Sequence, residues 1–150
     1  MQHKILKIRS EKFFDVRDLT DEVSDFLKKI SAQDGIVQIF TRHTTTAIKI
    51  NELESGLLQD LKKVFFEEIA KIDRNWNHNN FETRDPRTMC AGDECKNGHS
   101  HVIQMLLGSS ESVPVFAGKM QLGEWQRILF FELDRPRDRE VVLSFLGKNA

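Results

Sequence analysis

Apolar and polar residues alternate over several short stretches of this chain, which is the pattern of strands that bury one face. Residues 36–42 are rich in β-branched and aromatic side chains, and residues 46–51 place Ile48 and Ile50 between polar neighbours. We therefore predict strands at residues 2–10, 36–42, 46–51, 112–116, 127–134 and 140–146.

Two longer segments instead space their apolar residues as one face of a helix does. The first helix is predicted to begin with Thr20 as its N-cap and to stop at Gly35. The second follows residues 51–54, which resemble a capping box. Its apolar stripe, predicted to be core, is Leu57, Leu58, Leu61, Val64, Phe65, Ile69 and Ile72. A third, shorter helix is predicted at residues 100–107.

The predicted order of elements does not divide into strand–helix–strand units. It is β-α-β-β-α-loop-α-β-β-β, in which the loop of residues 73–96 has no sustained periodicity. This order predicts an α+β fold whose largely antiparallel or mixed sheet packs with helices. The chain has no internal repeat and no boundary in composition, so residues 1–150 are expected to form a single domain.

Composition and charge argue against several classes of protein. The formal net charge is −1, which gives no support to nucleic-acid binding. No apolar run approaches the roughly 18 residues of a membrane span, and the N-terminal residues lack the apolar core of a signal peptide. We expect a cytoplasmic protein that binds neither nucleic acid nor membrane. Two cysteines are too few for a secreted disulfide scaffold.

Residues 97–139 carry an unusual number of polar groups among apolar segments. Polar groups are costly to bury without partners, so we expect these side chains to face a shared site. The groups are the histidines of Asn97-Gly98-His99-Ser100-His101, the pair Trp125-Gln126, the carboxylate Glu132, and the arginines Arg135, Arg137 and Arg139.

Histidines are the first candidates for the chemistry of that site. His43, His78, His99 and His101 lie in polar stretches, and neutral imidazole is the commonest protein ligand for zinc and related ions. They are therefore candidate ligands of a divalent metal, with zinc first among them. The alternative is that they are loop histidines that bind nothing. If Ser100 begins a helix, His99 and His101 diverge and only one of them reaches a given point.

A competing metal site would use the two cysteines. Cys90 and Cys95, with His99 and His101, supply four nitrogen and sulfur ligands within twelve residues, enough for a closed structural zinc site. The spacing is not that of a familiar zinc finger. A pair of reduced loop thiols is the simpler account.

Carboxylates and arginines supply the other candidates. Glu132 lies inside an apolar strand, where it is a general base, a support for a histidine, or a strand end that reaches water. Glu52 is a similar candidate after another strand. Arg135, Arg137 and Arg139 alternate with Pro136 and Asp138, and extended spacing would aim all three to one side, which suits a phosphate or carboxylate ligand. The alternative is a solvated turn.

These motifs resemble the YjbQ-type proteins, which are called secondary thiamine-phosphate synthases. The resemblance covers nearly the whole chain and includes Pro136-Arg137-x-Arg139 near its end. Its other motifs are His43-Thr44-Thr45-Thr46-Ala47, Asn51-Glu52, His78, Asn97-Gly98-His99-Ser100-His101, Val113-Pro114-Val115, Leu122-Gly123-x-Trp125-Gln126 and Glu132. The chain departs from the pattern at Glu124, where Thr is commoner, and in the longer acidic loop that carries Cys90 and Cys95.

The resemblance implies a single α+β domain, a homotrimer, and a metal or anion site near a subunit boundary. It implies metal ligation by His43, His78 and His101, and less securely by His99. It implies catalytic roles for Glu132 and Glu52. The implied substrate-binding residues are Arg137, Arg139, Thr44, Thr45, Gln126 and Trp125.

The activity that the resemblance implies is thiamine-phosphate synthesis, which joins a pyrimidine pyrophosphate to a thiazole phosphate. In the family this activity is regarded as weak and secondary. Two alternatives remain open from the residues. One is a metal-dependent hydrolase in which Glu132 or Glu52 is the base. The other is a non-catalytic trimer that binds a small anion.

Overall fold

Three α-helices and eight strands account for most of the residues that the computed structural model describes, which are 2–89 and 95–150. The strands are β1 (Gln2–Arg9), β2 (Asp15–Asp18), β3 (Ala32–Thr41), β4 (Thr46–Asn51), β5 (Ser110–Phe116), β6 (Lys119–Met120), β7 (Arg127–Glu132) and β8 (Asp138–Asn149). The helices are α1 (Thr20–Lys29), α2 (Ser55–Lys63) and α3 (Gly98–Leu107). Shorter helical turns are a π-helical turn at Val64–Ile69 and 3-10 turns at Asn77–Asn79 and Pro86–Thr88.

The strands form two sheets in which every pairing is antiparallel. The larger sheet has the order β1-β8-β3-β5-β6, and the smaller one has the order β2-β7-β4. The predicted α+β class with a largely antiparallel sheet is confirmed. Sequential strands β3 and β4 lie in different sheets, so the turn between them, residues 42–45, stands where the sheets meet.

Alternation along the long strands gives the larger sheet one buried and one exposed face. In β3, Val37 and Ile39 are fully buried, whereas Ile36 and Phe40 remain 49% and 41% exposed. The buried face packs with the apolar side of α1, where Val23 and its neighbours are inaccessible to solvent. A second apolar cluster lies beneath the smaller sheet, between the π-helical turn and α3.

Several predicted boundaries are wrong, each for a local reason. Thr20 is the first residue of α1, not its cap, because its hydroxyl bonds to Asp18 and to the Ile128 N–H. Helix α1 ends at Lys29. Gly35 lies inside β3, where it packs directly against Gly147 of β8. Strands β2 and β6 are too short to have shown an alternating pattern.

The second helix also differs from its prediction. Glu54 caps it by accepting hydrogen bonds from the N–H groups of Gly56 and Leu57 at 2.7 and 2.8 Å, so the predicted capping box at residues 51–54 is wrong. The π-helical turn changes which side chains face the core. Phe65 and Phe66 are buried, but Ile69 is 42% exposed and Ile72 is 50% exposed. The predicted apolar stripe is therefore only partly core.

Nothing in the described helices has both the length and the apolar character that crossing a membrane requires.

Candidate functional site

A cavity of about 400 Å³ opens where the two sheets and the N-terminus of α3 meet. It is lined by Arg42, His43, Thr44, Thr45, His78, Arg84, Thr88, Cys95, Asn97, His101, Arg137 and Arg139. Among the lining residues that the structure describes, four are arginines, three are histidines, and none is Asp or Glu. The site is thus rich in cations and hydrogen-bond donors. We call it the arginine–histidine pocket.

One wall of the pocket rests on a buried ion pair. Arg139 donates from Nε to Glu132 Oε2 and from Nη2 to Glu132 Oε1, both at 2.6 Å, and the two side chains are 4% and 0% exposed. Arg139 Nη2 also donates to Thr45 Oγ1 at 3.2 Å. Within the described residues, Nη1 has no such partner. The bidentate geometry fixes the plane of the guanidinium.

Glu132 is saturated by donors. Besides Arg139, its carboxylate accepts from the Ser10 hydroxyl at 2.8 Å and from the Asp134 N–H at 3.1 Å. A carboxylate so occupied cannot readily take a proton from a substrate. This arrangement favours Glu132 as the support of Arg139 over its predicted role of general base.

His43 is positioned by the strand beside its turn. Its Nε2 accepts the backbone N–H of Glu140 at 2.8 Å, so a neutral ring carries its proton on Nδ1. Burial lowers the pKa of His43, and the nearby Arg139 guanidinium lowers it further. The fold therefore holds this imidazole neutral, with a proton to donate.

His78 and His101 lie against each other in the pocket wall, with ring centroids 4.6 Å apart and the rings tilted by 56°. His78 sits on the 3-10 turn, and its Nε2 lies 3.1 Å from Asn97 Oδ1. Burial lowers the pKa of His101, and the neighbouring His78 adds to the effect. Arg84 anchors the loop by donating to the backbone carbonyls of His78 and Thr88 at 3.3 and 3.1 Å.

Helix α3 reaches the loop because its first residue is glycine. A side-chain Cβ at Gly98 would lie 2.8 Å from Trp76 Cβ and 3.2 Å from His78 Cβ. The Gly98 N–H also donates to Asn79 Oδ1 at 3.0 Å. Any larger residue at Gly98 would push the His78 turn away from α3.

Arg137 also lines the pocket, and its side chain is 31% exposed. Its Nη2 donates to Cys95 Sγ at 2.7 Å and stands 3.7 Å from Asp134 Oδ2. Its Nε is buried with no hydrogen-bond partner in the described part of the chain. This guanidinium is therefore less completely satisfied by protein groups than that of Arg139.

Five predicted site residues do not line the pocket, and one of them, Glu132, lies behind Arg139. His99 is buried between the edges of Phe13 and Phe66, at centroid distances of 6.1 and 5.9 Å, and burial lowers its pKa. Because residues 98–107 are helical, His99 and His101 diverge as expected for a helix. The others are Glu52, Trp125 and Gln126, of which Trp125 is 67% exposed and Gln126 caps a turn at Gly123.

The histidines and cysteines predicted to bind a metal are not all brought together by the fold. Among residues 2–89 and 95–150, no group of three or more His, Cys, Asp or Glu side chains stands close enough to hold an ion. The rings of His78 and His101 lie close together, whereas the Nε2 atom of His43 is occupied by the Glu140 N–H. Cys90, one of the four ligands in the competing zinc site, lies outside the described residues.

The pocket also includes residues that the sequence reasoning did not select. Arg42, Arg84, Thr88 and Asn97 all line it, and Asp134 stands directly behind Asn97. Asn97 and Asp134 lie within the polar stretch of residues 97–139. The clustering of polar residues there predicted a site, but it did not identify which amide or carboxylate side chains belong to the pocket.

The fold and the pocket define an α+β protein of two antiparallel sheets with an arginine–histidine site between them. The chain belongs to the family described as UPF0047 protein YjbQ-like, whose model matches residues 4–148.

Relatives and solved structures agree with this membership. A UPF0047 protein of Methanothermobacter thermautotrophicus is 38% identical over 95% of this chain and 90% of its own length. A UPF0047 protein of Archaeoglobus fulgidus is 37% identical over 94% of this chain and 98% of its own length. A crystal structure of a protein of unknown function from Sulfolobus solfataricus is 31% identical, with a TM-score of 0.85, covering 98% of this chain and 97% of that one. The crystal structure of a hypothetical protein from Aeropyrum pernix K1 is 32% identical in sequence, with a TM-score of 0.85. The match covers 99% of this chain and 100% of that one.

Proposed function

We propose that the arginine–histidine pocket binds a phosphorylated small molecule and supports a transfer of the thiamine-phosphate synthase type. The observation that carries the proposal is the lining, in which the described residues include four arginines, three histidines and three threonines but no carboxylate. Arginine and hydroxyl donors suit phosphate oxygens. A cation-rich pocket also suits the charge that develops on a departing pyrophosphate.

The arginines would divide the work between them. Arg139 is held rigid by Glu132, so its Nη1 is a preorganised donor. Arg137 would exchange its contact with Cys95 for a phosphate oxygen. The Nδ1–H that the Glu140 contact leaves on His43 adds a neutral donor.

In the proposed reaction, the bond between the pyrimidine-bearing carbon and the pyrophosphate oxygen breaks, and the oxygen keeps the electron pair. The thiazole phosphate supplies the pair for the new bond. Arginine donors stabilise the negative charge on the leaving group. No protein base is needed for these two bond changes, in keeping with the saturation of Glu132.

A divalent metal, zinc first, remains part of the proposal. His78 and His101 are the residues that would hold it, and His43 would join them only by releasing the Glu140 N–H. When bound, such an ion would supply further positive charge for the leaving group.

A second candidate is a non-catalytic anion-binding protein. The observation that favours it is the same absence of a carboxylate from the part of the pocket lining that lies within residues 2–89 and 95–150. The hydrolase alternative is weaker, because Glu132 is occupied by four donors and Glu52 lies outside the pocket.

We also propose that the chain assembles as a homotrimer through the exposed face of the larger sheet. That face carries large apolar side chains from neighbouring strands. They are Ile5, Ile36, Phe40, Phe116 and Leu146, which are 41–67% exposed. Ile36 and Leu146 are paired in register, so the apolar surface is continuous across β3 and β8. Contiguous apolar surface of this kind is typical of obligate interfaces.

The experiment that tests the transfer is direct assay of thiamine phosphate from the two precursors, with and without added zinc. Product formed in proportion to protein, and reduced in a folded Arg137→Gln variant, supports the transferase. If pyrophosphate binds but no product forms under any metal condition, the protein is the non-catalytic anion binder.

A further inference from the structure

Asn97 stands between a carboxylate and an imidazole, and all three belong to segments far apart in the chain. Its Nδ2 donates to Asp134 Oδ2 at 2.9 Å, and its Oδ1 lies 3.1 Å from His78 Nε2. Asn97 and Asp134 are 7% and 8% exposed. The three side chains form a relay that leads from the interior to the pocket.

The chemistry of the relay determines where the protons are. A carboxylate oxygen accepts hydrogen bonds, so Asn97 must turn its NH₂ group towards Asp134. Its carbonyl oxygen then faces His78, and that oxygen can only accept. His78 Nε2 must therefore be the donor, and in the neutral ring the lone pair is on Nδ1.

The Nδ1 atom of His78 is free to meet a ligand. It makes no hydrogen bond to the described part of the protein. It is also not one of the buried polar side-chain atoms that lack a hydrogen-bond partner, so a ligand can reach it. The other imidazoles of the pocket differ. His43 has its acceptor nitrogen occupied by the Glu140 N–H, and no hydrogen bond within the described residues fixes the tautomer of His101.

We infer that Asn97 and Asp134 are positioning residues that hold His78 in the Nε2–H tautomer, so that Nδ1 is a fixed acceptor in a pocket otherwise rich in donors. In the zinc-free protein, the matching ligand carries a proton donor, a hydroxyl or amino group, beside its phosphate, because zinc and this donor would compete for the same Nδ1 lone pair. The ligand part of this inference rests on the proposed function. The tautomer rests on the relay alone.

The tautomer is tested on zinc-free protein by long-range ¹H–¹⁵N correlation spectra of the histidine rings at about pH 8, above the ordinary histidine pKa. The wild-type His78 ring is expected to show a protonated Nε2 and an unprotonated Nδ1. In Asp134→Asn, residue 134 can donate as well as accept, so Asn97 is released to turn over and the Nδ1–H form of His78 should appear. Asp138→Asn removes the same charge at an exposed position and should leave the ring unchanged.

Ligand binding gives the second readout. Calorimetry would compare 2-hydroxyethyl phosphate with ethyl phosphate, which lacks the hydroxyl donor. With both proteins free of zinc, the wild type should prefer the hydroxyl compound by roughly fivefold, the effect of one net hydrogen bond, and in Asp134→Asn the ratio of the two affinities should fall towards one.

The outcomes separate the two claims. A wild-type His78 that is mainly Nδ1–H overturns the relay, and it does so without any variant having to fold. An unchanged tautomer in a folded Asp134→Asn protein overturns the role of Asp134. If the tautomer is as inferred but neither phosphate binds, the proposed function fails and the relay stands. If both phosphates bind with equal affinity, the ligand part of the inference is wrong.

Discussion

Glu132 and Arg139 form a bidentate pair at 2.6 Å in which both side chains are almost wholly buried. Such a pair is costly to break, because the partner that remains is a buried, uncompensated charge. Its position is equally important. Arg139 lines the pocket and Glu132 lies behind it, so the pair links stability to the geometry of the site.

The first prediction concerns that pair. Glu132→Gln should lower the free energy of unfolding by about 3–5 kcal/mol, the cost of breaking a buried pair, as measured by urea denaturation. Glu140→Gln is the matched control, because Glu140 pairs with Arg42 at a half-exposed position, where a loss below about 1 kcal/mol is expected. Equal losses in the two variants would show that burial does not set the strength of the Glu132 pair.

The second prediction is a loss of stability in acid. Burial and Arg139 depress the pKa of folded His43, so below the ordinary histidine value of about 6.5 the unfolded state takes up a proton first. The free energy of unfolding should therefore fall as the pH drops from about 7 to 5. Burial also lowers the pKa values of His99 and His101, which contribute in the same direction.

His43→Gln isolates one part of this effect, because the glutamine carbonyl can still accept the Glu140 N–H but does not titrate. Denaturation curves at several pH values should show a shallower decline for His43→Gln than for wild type. His3→Gln, on the exposed face of β1, is the control and should follow the wild type. A His43→Gln protein as acid-sensitive as wild type would contradict the neutral assignment.

The third prediction concerns zinc. Protein purified without chelator should contain about one zinc per chain by elemental analysis, and His101→Ala should lose most of it, because coordination needs every available ligand. His99→Gln should retain the metal, since His99 packs between Phe13 and Phe66. If the purified protein contains no metal and binds no zinc when zinc is added, the proposal is wrong. Loss of zinc in His99→Gln but not in His101→Ala would show that the zinc is bound by His99 and not by His101.

The fourth prediction is the trimer. Light scattering at micromolar concentration should give three times the chain mass, and Leu146→Lys should shift the protein to monomer by placing a charge in the apolar face of the larger sheet. Met105→Lys is the control, because Met105 is 80% exposed on α3, outside that face. A wild-type monomer contradicts the trimer, and dissociation caused only by Met105→Lys would assign the interface to α3.

Local patterns were sufficient for most of the fold. Alternation along β3 and β8 and the apolar face of α1 follow from the spacing of single side chains. The divergence of His99 and His101 follows from the same periodicity, once residues 98–107 are helical. The π-helical turn at Val64–Ile69 was not predictable in this way, because its extra residue changes the face that reaches the core.

The site was predictable only as a set of residues. His43, Thr44, Thr45, His78, His101, Arg137 and Arg139 do line one pocket. Their roles depend on partners that are remote in the chain. His43 loses its acceptor to the N–H of Glu140, 97 residues away, and Asn97 is oriented by Asp134, 37 residues away. Such pairings depend on how the two sheets pack together, and the spacing of residues along the chain does not reveal this packing.

The central claim is that the arginine–histidine pocket binds phosphate groups, and titration calorimetry with inorganic pyrophosphate tests it most directly. Arg137→Gln should weaken binding about ten- to hundredfold, the effect of one charge-assisted hydrogen bond of roughly 1.5–3 kcal/mol, with the fold and zinc content unchanged. Arg17→Gln, on β2 and paired with Glu22 outside the pocket, should bind as tightly as wild type. Pyrophosphate that does not bind the wild type, or that binds Arg137→Gln equally well, would contradict the account.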